Sequence, residues 1–491
     1  MQKPLRTTTA GVAASSACLL IVLLFSQIAS ADLICLYMHV FTENRGGIKL
    51  DYFTVESEQT DSVAMLDNVW YWMDAGSSML DTGRESRSED RESRWEFISG
   101  ALSYGPANLA DTSKEGLPGD DAGFPEIEVP PAGPEHECVV RHVMVYDEPG
   151  RYAGWPANGG FWIWGDEMAV AFECGWFKDR PDWQDGHARD GSRGNEDIVA
   201  RSSDAGLTWT HKKYDIMSSD DGIRDIPQGL DFGNPGFGFK CQGERFYYTY
   251  DRGKSWSGPY RLRITGLSGA DENIESHTCY IINGKNDGYF FFGVEPDDAE
   301  DRFYCTRTMN GGKSFEFLGW ISPPPDKAPN YERWAVYSAV MASENHLIAA
   351  LRRKINKRSG RIKRLNWIDV YESKDSGRTW SFLSKVADTD VPNSDFNGNP
   401  PSLLKLTDGR LCVTYGFRGK PCVMCAKFSA DNGKTWSEPV ILRTGARNWD
   451  FGYSRSLQRR DGKVVTVYYF ATPDNRDQFI TATIWDPSKV K

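Results

Sequence analysis

The chain has 491 residues, with 57 lysines and arginines against 68 aspartates and glutamates and a formal net charge of −11. Hydrophobic residues at 40% and aromatics at 13% are enough for a sizeable core, and the acidic balance excludes a general nucleic-acid binder, which needs a basic face against phosphates. The 47 glycines and 17 tryptophans favour a turn-rich all-β protein over a helical one.

Lys3 and Arg6 precede an apolar run from Leu19 to Phe25, and Ala29-Ser30-Ala31 follows. That order predicts a secretory signal over 1–31. The run is short for a membrane helix, which needs about 20 residues. A secreted or periplasmic protein with no stable membrane span after signal cleavage is expected. Residues 32–137 read as an N-terminal extension or linker: Thr82–Arg94 is dense in mixed charge, and Gly116–Pro134 is rich in Pro, Gly and acids. The 10 cysteines are scattered, with Cys18 inside the signal. Buried thiols or one or two disulfides fit this distribution. Cys422-x-x-Cys425 has no second pair beside it, so no metal and no cofactor are expected.

From residue 138 the texture is regular. Glu167–Phe172, Arg245–Tyr250, Gly288–Gly293, Leu347–Leu351, Leu411–Tyr415 and Lys463–Tyr469 are strand-length and bounded by turn residues. One pattern, Ser/Thr-x-Asp/Asn-x-Gly-x-Ser/Thr-aromatic, occurs five times, at 202–209, 249–256, 308–315, 373–380 and 429–436. The starts are 47, 59, 65 and 56 residues apart, which marks a repeat architecture. Its chemistry is that of a hairpin turn: the acid or amide accepts from backbone N–H groups, and the glycine takes positive φ. Gly253-Lys254-Ser255, Gly312-Lys313-Ser314 and Gly433-Lys434-Thr435 lie inside these boxes and are turns, not phosphate loops.

The boxes resemble the Asp-boxes, or BNR repeats, of the sialidase (neuraminidase) superfamily. That resemblance implies an all-β fold, a six-bladed β-propeller over 138–491. Gly452-Tyr453-Ser454, with Leu457 and Asp461-Gly462-Lys463 after it, is similar to the last-blade segment that carries a nucleophilic tyrosine, which implies that role for Tyr453. By the same resemblance Arg418, after Thr414–Phe417, and Arg352, at the end of Leu347–Leu351, hold a substrate carboxylate. Only one of Arg352 and Arg353 faces the site, because strand neighbours point to opposite sides, and Arg352 is preferred. The acid/base aspartate belongs on the loop before the first box. Among Asp179, Asp182, Asp185, Asp190 and Asp197, Asp190 is chosen, with burial expected to raise its pKa.

Two parts of the family pattern are missing. Where an Arg-Ile-Pro motif opens the propeller, this chain has Gly154-Trp155-Pro156-Ala157-Asn158-Gly159-Gly160, and Arg151 stands three residues away. No Glu lies about fifteen residues before Arg352 to activate the tyrosine. Glu332, Asp450 and Glu275 are the available substitutes. Arg151, Trp155, Asn158 and His187 complete the expected substrate-binding set, and Trp162, Trp164, Trp176 and Trp183 crowd the same region as sugar platforms or as core.

The expected function is a secreted, exo-α-sialidase-type glycoside hydrolase whose partner is a glycan or glycoconjugate. The alternatives are a non-catalytic carbohydrate-binding propeller and a polysaccharide lyase, the latter drawing on His187 or His277.

Overall fold

The computed structural model describes residues 126–491 apart from 184–185, 215–221, 268–273, 276, 295–301, 323–336, 357–363, 395 and 491, together with the backbone of four strands nearer the N-terminus. Those four, Ala17–Leu23, Ile34–Arg45, Ile48–Glu58 and Val69–Asp74, pair in chain order as an antiparallel meander. They fall in a compact unit, Met1–Pro106, separate from Ala107–Lys491. The signal predicted over 1–31 otherwise lies outside the described residues, as do the stretch Thr82–Arg94 and Glu332.

The larger unit is a ring of six sheets, numbered here as blades 1 to 6 and antiparallel except where Ile264–Thr265 runs parallel to Phe315–Trp320. Blade 1 holds Arg151–Gly154 and Phe161–Trp164 side by side on Glu167–Trp176, then Glu196–Ser202 and Thr210–Lys213. Blade 2 is Gly238–Gln242, Arg245–Thr249 and Ser257–Arg261. Blade 3 is built on Gly288–Val294, Arg302–Thr308 and Phe315–Trp320. Blade 4 is Tyr337–Ser343, His346–Asn356, Arg364–Ser373 and Ser381–Asp388. Blade 5 is Ser402–Lys405, Leu411–Phe417, Val423–Ser429 and Val440–Arg443. Blade 6 takes Gly452–Gln458, Val464–Phe470 and Phe479–Trp485 from one end of the chain and its outermost strand, Val139–Tyr146, from the other.

The strands are apolar on both faces because each blade packs between two others. In His346–Asn356, Leu347, Ala349 and Leu351 join blade 3 residues such as Phe291, while Ile348 and Ala350 join blade 5 residues such as Val413. Among the described residues there are six such core clusters, one for each junction, including Val170 and Phe172 of blade 1 against Val467 and Ile480 of blade 6. That last cluster closes the ring.

Each box joins the last two strands, in chain order, of its blade. In blade 4 the Asp375 carboxylate accepts from the backbone of Arg378 and Thr379 and from the hydroxyls of Ser373 and Thr379. Ser376 and Gly377 take φ of +62° and +92°, the paired positive values of a tight hairpin. Six blades carry only five boxes for a topological reason. The third and fourth strands of blade 6 are joined by hydrogen bonds and not by a turn, since they come from opposite ends of the domain.

The eight cysteines among the described residues are free thiols, seven of them buried, so the thiol reading holds and a disulfide reading does not for these residues. The described residues contain no metal-ligating cluster and no helix long and apolar enough to cross a membrane.

Candidate active site

Antiparallel order fixes which residues share an end of the ring. First strands begin and second strands finish at one end, and third strands run into the boxes at the other. The starts of Arg151–Gly154, Ser402–Lys405 and Gly452–Gln458, the finishes of His346–Asn356, Leu411–Phe417 and Val464–Phe470, and the loop residues 177–183 and 186–195 therefore meet opposite the boxes.

Tyr453 stands there with φ +49°, a left-handed value unusual for a tyrosine, directly after Gly452 at φ +104°. Asn399 holds this backbone. Its Oδ1 accepts from Tyr453 N at 2.7 Å, and its Nδ2 donates to Phe451 O at 3.0 Å. Gly452 is required: a Cβ would lie 2.1 Å from Asn399 Oδ1. The strain, of order 1–3 kcal/mol, is held by surrounding structure at the tyrosine for which the family resemblance implies a nucleophilic role.

Arg352 Nη1 donates to Tyr453 Oη at 2.7 Å and to Gly398 O at 3.1 Å. Its Nε and Nη2 have no hydrogen-bond partner among the described residues. Strand alternation gives Arg352 this direction, because Leu351 before it faces blade 3. Arg353 turns the other way, to Asp369 at 4.0 Å and the Tyr371 ring.

Arg418 is fully buried, and its role differs from the expected one. Nη1 donates to Asn397 O, Nε and Nη2 to Phe451 O, and Nη2 also to Tyr469 Oη at 2.7 Å. Every donor nitrogen is thus committed to the fold, so Arg418 braces the loops under Tyr453, 5.4 Å from that ring, instead of clamping a ligand.

Asp450 is the electrostatic centre. Its carboxylate accepts from Tyr469 Oη at 2.7 Å and Tyr152 Oη at 3.0 Å and pairs with His187 Nδ1 at 2.7 Å. Burial alone pushes its pKa up. The His187 charge and hydrogen bond, the Arg418 charge and the Tyr469 hydroxyl outweigh burial and hold the group at about 2. Burial pushes Tyr152 and Tyr469 well above the ordinary phenol range, so both remain hydroxyl donors.

The mouth is aromatic. Trp155, at φ +56°, meets His187 edge-on at 5.0 Å. Trp449 stacks on Phe396 at 4.4 Å and 9°, and Trp183 stands 6.2 Å from Phe396. The other tryptophans of this region are structural: Trp162 and Trp164 donate to Phe239 O and Phe237 O, and Trp176 is covered by Arg151 and Arg193.

Two further expectations are corrected. Asp190 does not join the cluster: its carboxylate caps Ser192 N and Oγ, and those bonds lower its pKa instead of raising it. Arg151 points to Glu196 and Cys174 because Tyr152, its strand neighbour, takes the inward direction. Asn158 lies on a single helical turn, Pro156–Gly159, with a buried Oδ1 that has no hydrogen-bond partner among the described residues. Arg455 fixes that turn by donating to Ala157 O. His277 is buried, and burial plus the charges of Arg455 and Arg352 push it down to about 3, so it is neutral near pH 7.

The structure therefore brings together Tyr453, Arg352, Arg418, Trp155 and His187 and leaves Asp190 and Arg151 aside. Sequence reasoning missed Tyr152, Tyr469, Trp449, Asn399 and Arg455. Only Asn399 carried a local signal, the Asn397–Pro401 run of polar and turn residues.

Residues 234–466 match the family described as BNR repeat-like domain. No curated protein matches the chain. Among solved structures, a protein of unknown function from Dyadobacter fermentans DSM 18053 is 17% identical over 71% of this chain and 98% of its own, with a TM-score of 0.48. The NanB sialidase from Streptococcus pneumoniae is 8% identical over 94% of this chain and 85% of its own, with a TM-score of 0.40. The endo-arabinase from Bacteroides thetaiotaomicron is 13% identical over 70% and 95%, with a TM-score of 0.33.

Proposed function

We propose, for a chain that carries BNR repeats over 234–466 on a six-bladed propeller, that it cleaves glycosidic bonds in an anionic glycan as an exo-acting, sialidase-type hydrolase with Tyr453 as nucleophile. One observation carries the reading: Arg352 donates to Tyr453 Oη at 2.7 Å from a buried position, at the mouth opposite the boxes. A neutral phenol approaches a carboxylate-bearing sugar without charge repulsion, and the adjacent guanidinium stabilises charge that builds on its oxygen. The free Nε and Nη2 of Arg352 are left for the sugar carboxylate. Trp155 and Trp449 supply ring faces for the sugar. The basic, apolar and small-residue order at the N-terminus supports export.

The test is turnover by the full chain of 4-methylumbelliferyl glycosides of N-acetylneuraminic and glucuronic acid and of sialyl- and uronate-bearing oligosaccharides. Tyr453→Phe should abolish turnover while leaving the melting temperature within a few degrees. Unchanged turnover in that variant ends the reading.

The commitment of Arg418 and Arg151 to internal partners favours a binding-only propeller as the second reading. Glycan binding by the wild type with no turnover of any probe would establish it. An unsaturated product absorbing in the ultraviolet would establish a lyase.

A further inference from the structure

We propose that His187 is the proton-transferring residue of this site, with Asp450 and Tyr152 as the groups that position it. The inference rests on the glycosidase reading above and replaces the surface aspartate that the loop sequence offered for this task.

His187 lies on the 177–195 loop of blade 1, and its ring turns inward. Nδ1 is 2.7 Å from Asp450 Oδ1 and 3.0 Å from Tyr152 Oη. Tyr152 itself donates to Asp450 Oδ2, so its proton is spent there and Nδ1 must carry the hydrogen that faces Oδ1. The neutral ring is thereby fixed as the Nδ1–H tautomer. Nε2 is left as the basic atom, and it has no partner among the described residues. The His187 side chain is 31% exposed while that of Asp450 is 3% exposed, so the imidazole forms the boundary between the buried carboxylate and the open mouth.

Trp155 edge-on at 5.0 Å and Trp449 at 5.5 Å flank the ring, and Arg189 reaches it only through Trp155. Tyr469 touches Asp450 by its hydroxyl and faces Tyr453 at 6.1 Å between centroids. A base oriented by a buried carboxylate, on the same mouth as a nucleophile, is the arrangement general acid–base catalysis needs.

In the first half-reaction Nε2–H of the imidazolium gives its proton to the glycosidic oxygen as that bond to the anomeric carbon breaks. Tyr453 Oη bonds to the carbon, and the phenol proton passes to water. In the second, neutral Nε2 takes a proton from the water that attacks the anomeric carbon. The bond to Oη breaks, and the phenolate regains a proton from solvent.

The test compares 3′-sialyllactose, whose leaving group needs a proton, with 4-methylumbelliferyl α-N-acetylneuraminide, whose leaving group needs little help. His187→Ala should lose about 10²–10⁴-fold in kcat/KM on the first and under about tenfold on the second. Added imidazole should restore part of the loss, and Asp450→Asn should shift the pH profile. Nitrogen-15 spectra of the full chain should show the Nδ1–H tautomer. Equal losses on both substrates without imidazole rescue, or an Nε2–H tautomer, would overturn the assignment while Tyr453-dependent turnover still stood. Absence of turnover by the wild type would overturn both.

Discussion

Arg352 and Tyr453 are 101 residues apart and stand on blades 4 and 6, yet a 2.7 Å hydrogen bond joins them across the blade between. A radial array of sheets permits this because strand ends of non-adjacent blades meet at one end of the ring. Replacing Arg352 by Ala removes that donor from Tyr453 Oη and removes the free Nε and Nη2. It should lower kcat/KM on anionic substrates about 10²–10³-fold, the usual effect of losing one charged donor at a reacting oxygen. Arg352→Lys should recover only part, since an ammonium lacks the planar fork. Steady-state kinetics on both variants checks this.

Gly452→Ala should be far worse than Gly445→Ala. Both glycines have positive φ, at +104° and +79°, but an added Cβ at 452 meets Asn399 Oδ1 at 2.1 Å whereas at 445 nothing lies within 4 Å. The Gly445 change should cost about 1 kcal/mol of backbone strain. The Gly452 change should cost roughly 2–4 kcal/mol and disturb the bond that holds Tyr453. Urea unfolding of the two variants separates the effects.

Asp375→Ala should reduce stability by about 1–3 kcal/mol, because two hydroxyls and two backbone N–H groups lose their acceptor. The box lies at the opposite end from Tyr453, so kcat/KM below the melting transition should be unchanged.

Asp390 sits behind Arg418, where burial pushes its carboxyl up to about 6 from 3.8, against the Ser394 hydroxyl, the Val391 N–H and the Arg418 and Arg364 charges. A folded pKa above the unfolded one contributes stability that is full below 3.8 and is lost as pH rises through about 6. Asp390→Asn removes this dependence. Its stability relative to the wild type should therefore improve by about 2 kcal/mol between pH 4 and pH 7.5, which unfolding curves at several pH values would show.

The five boxes were legible because a tight hairpin imposes local demands: an acceptor over two successive amides, two positive φ values and a hydroxyl four residues after the acid. Those demands concern residues within eight positions of one another, so they are written in the sequence, and the six-bladed propeller was expected through the family resemblance that the boxes carry. Arg352 was separable from Arg353 by the same local logic, since alternation along a buried strand assigns neighbours to opposite blades.

The candidate site obeyed no such rule. Whether Asp190 or His187 turned inward on one loop depended on Asp450, some 263 residues away from His187. Arg151 looked suitable until Tyr152 took the inward direction, and Arg418 looked free until Phe451 O, Asn397 O and Tyr469 claimed its donors. By itself, the sequence determined an acidic, turn-rich chain with five hairpin boxes and the tyrosine segment at Gly452. Tertiary structure alone decided which charges met at the axis. Six blades bring together strand ends that are distant in the chain, and each buried polar group takes whichever partner satisfies it there.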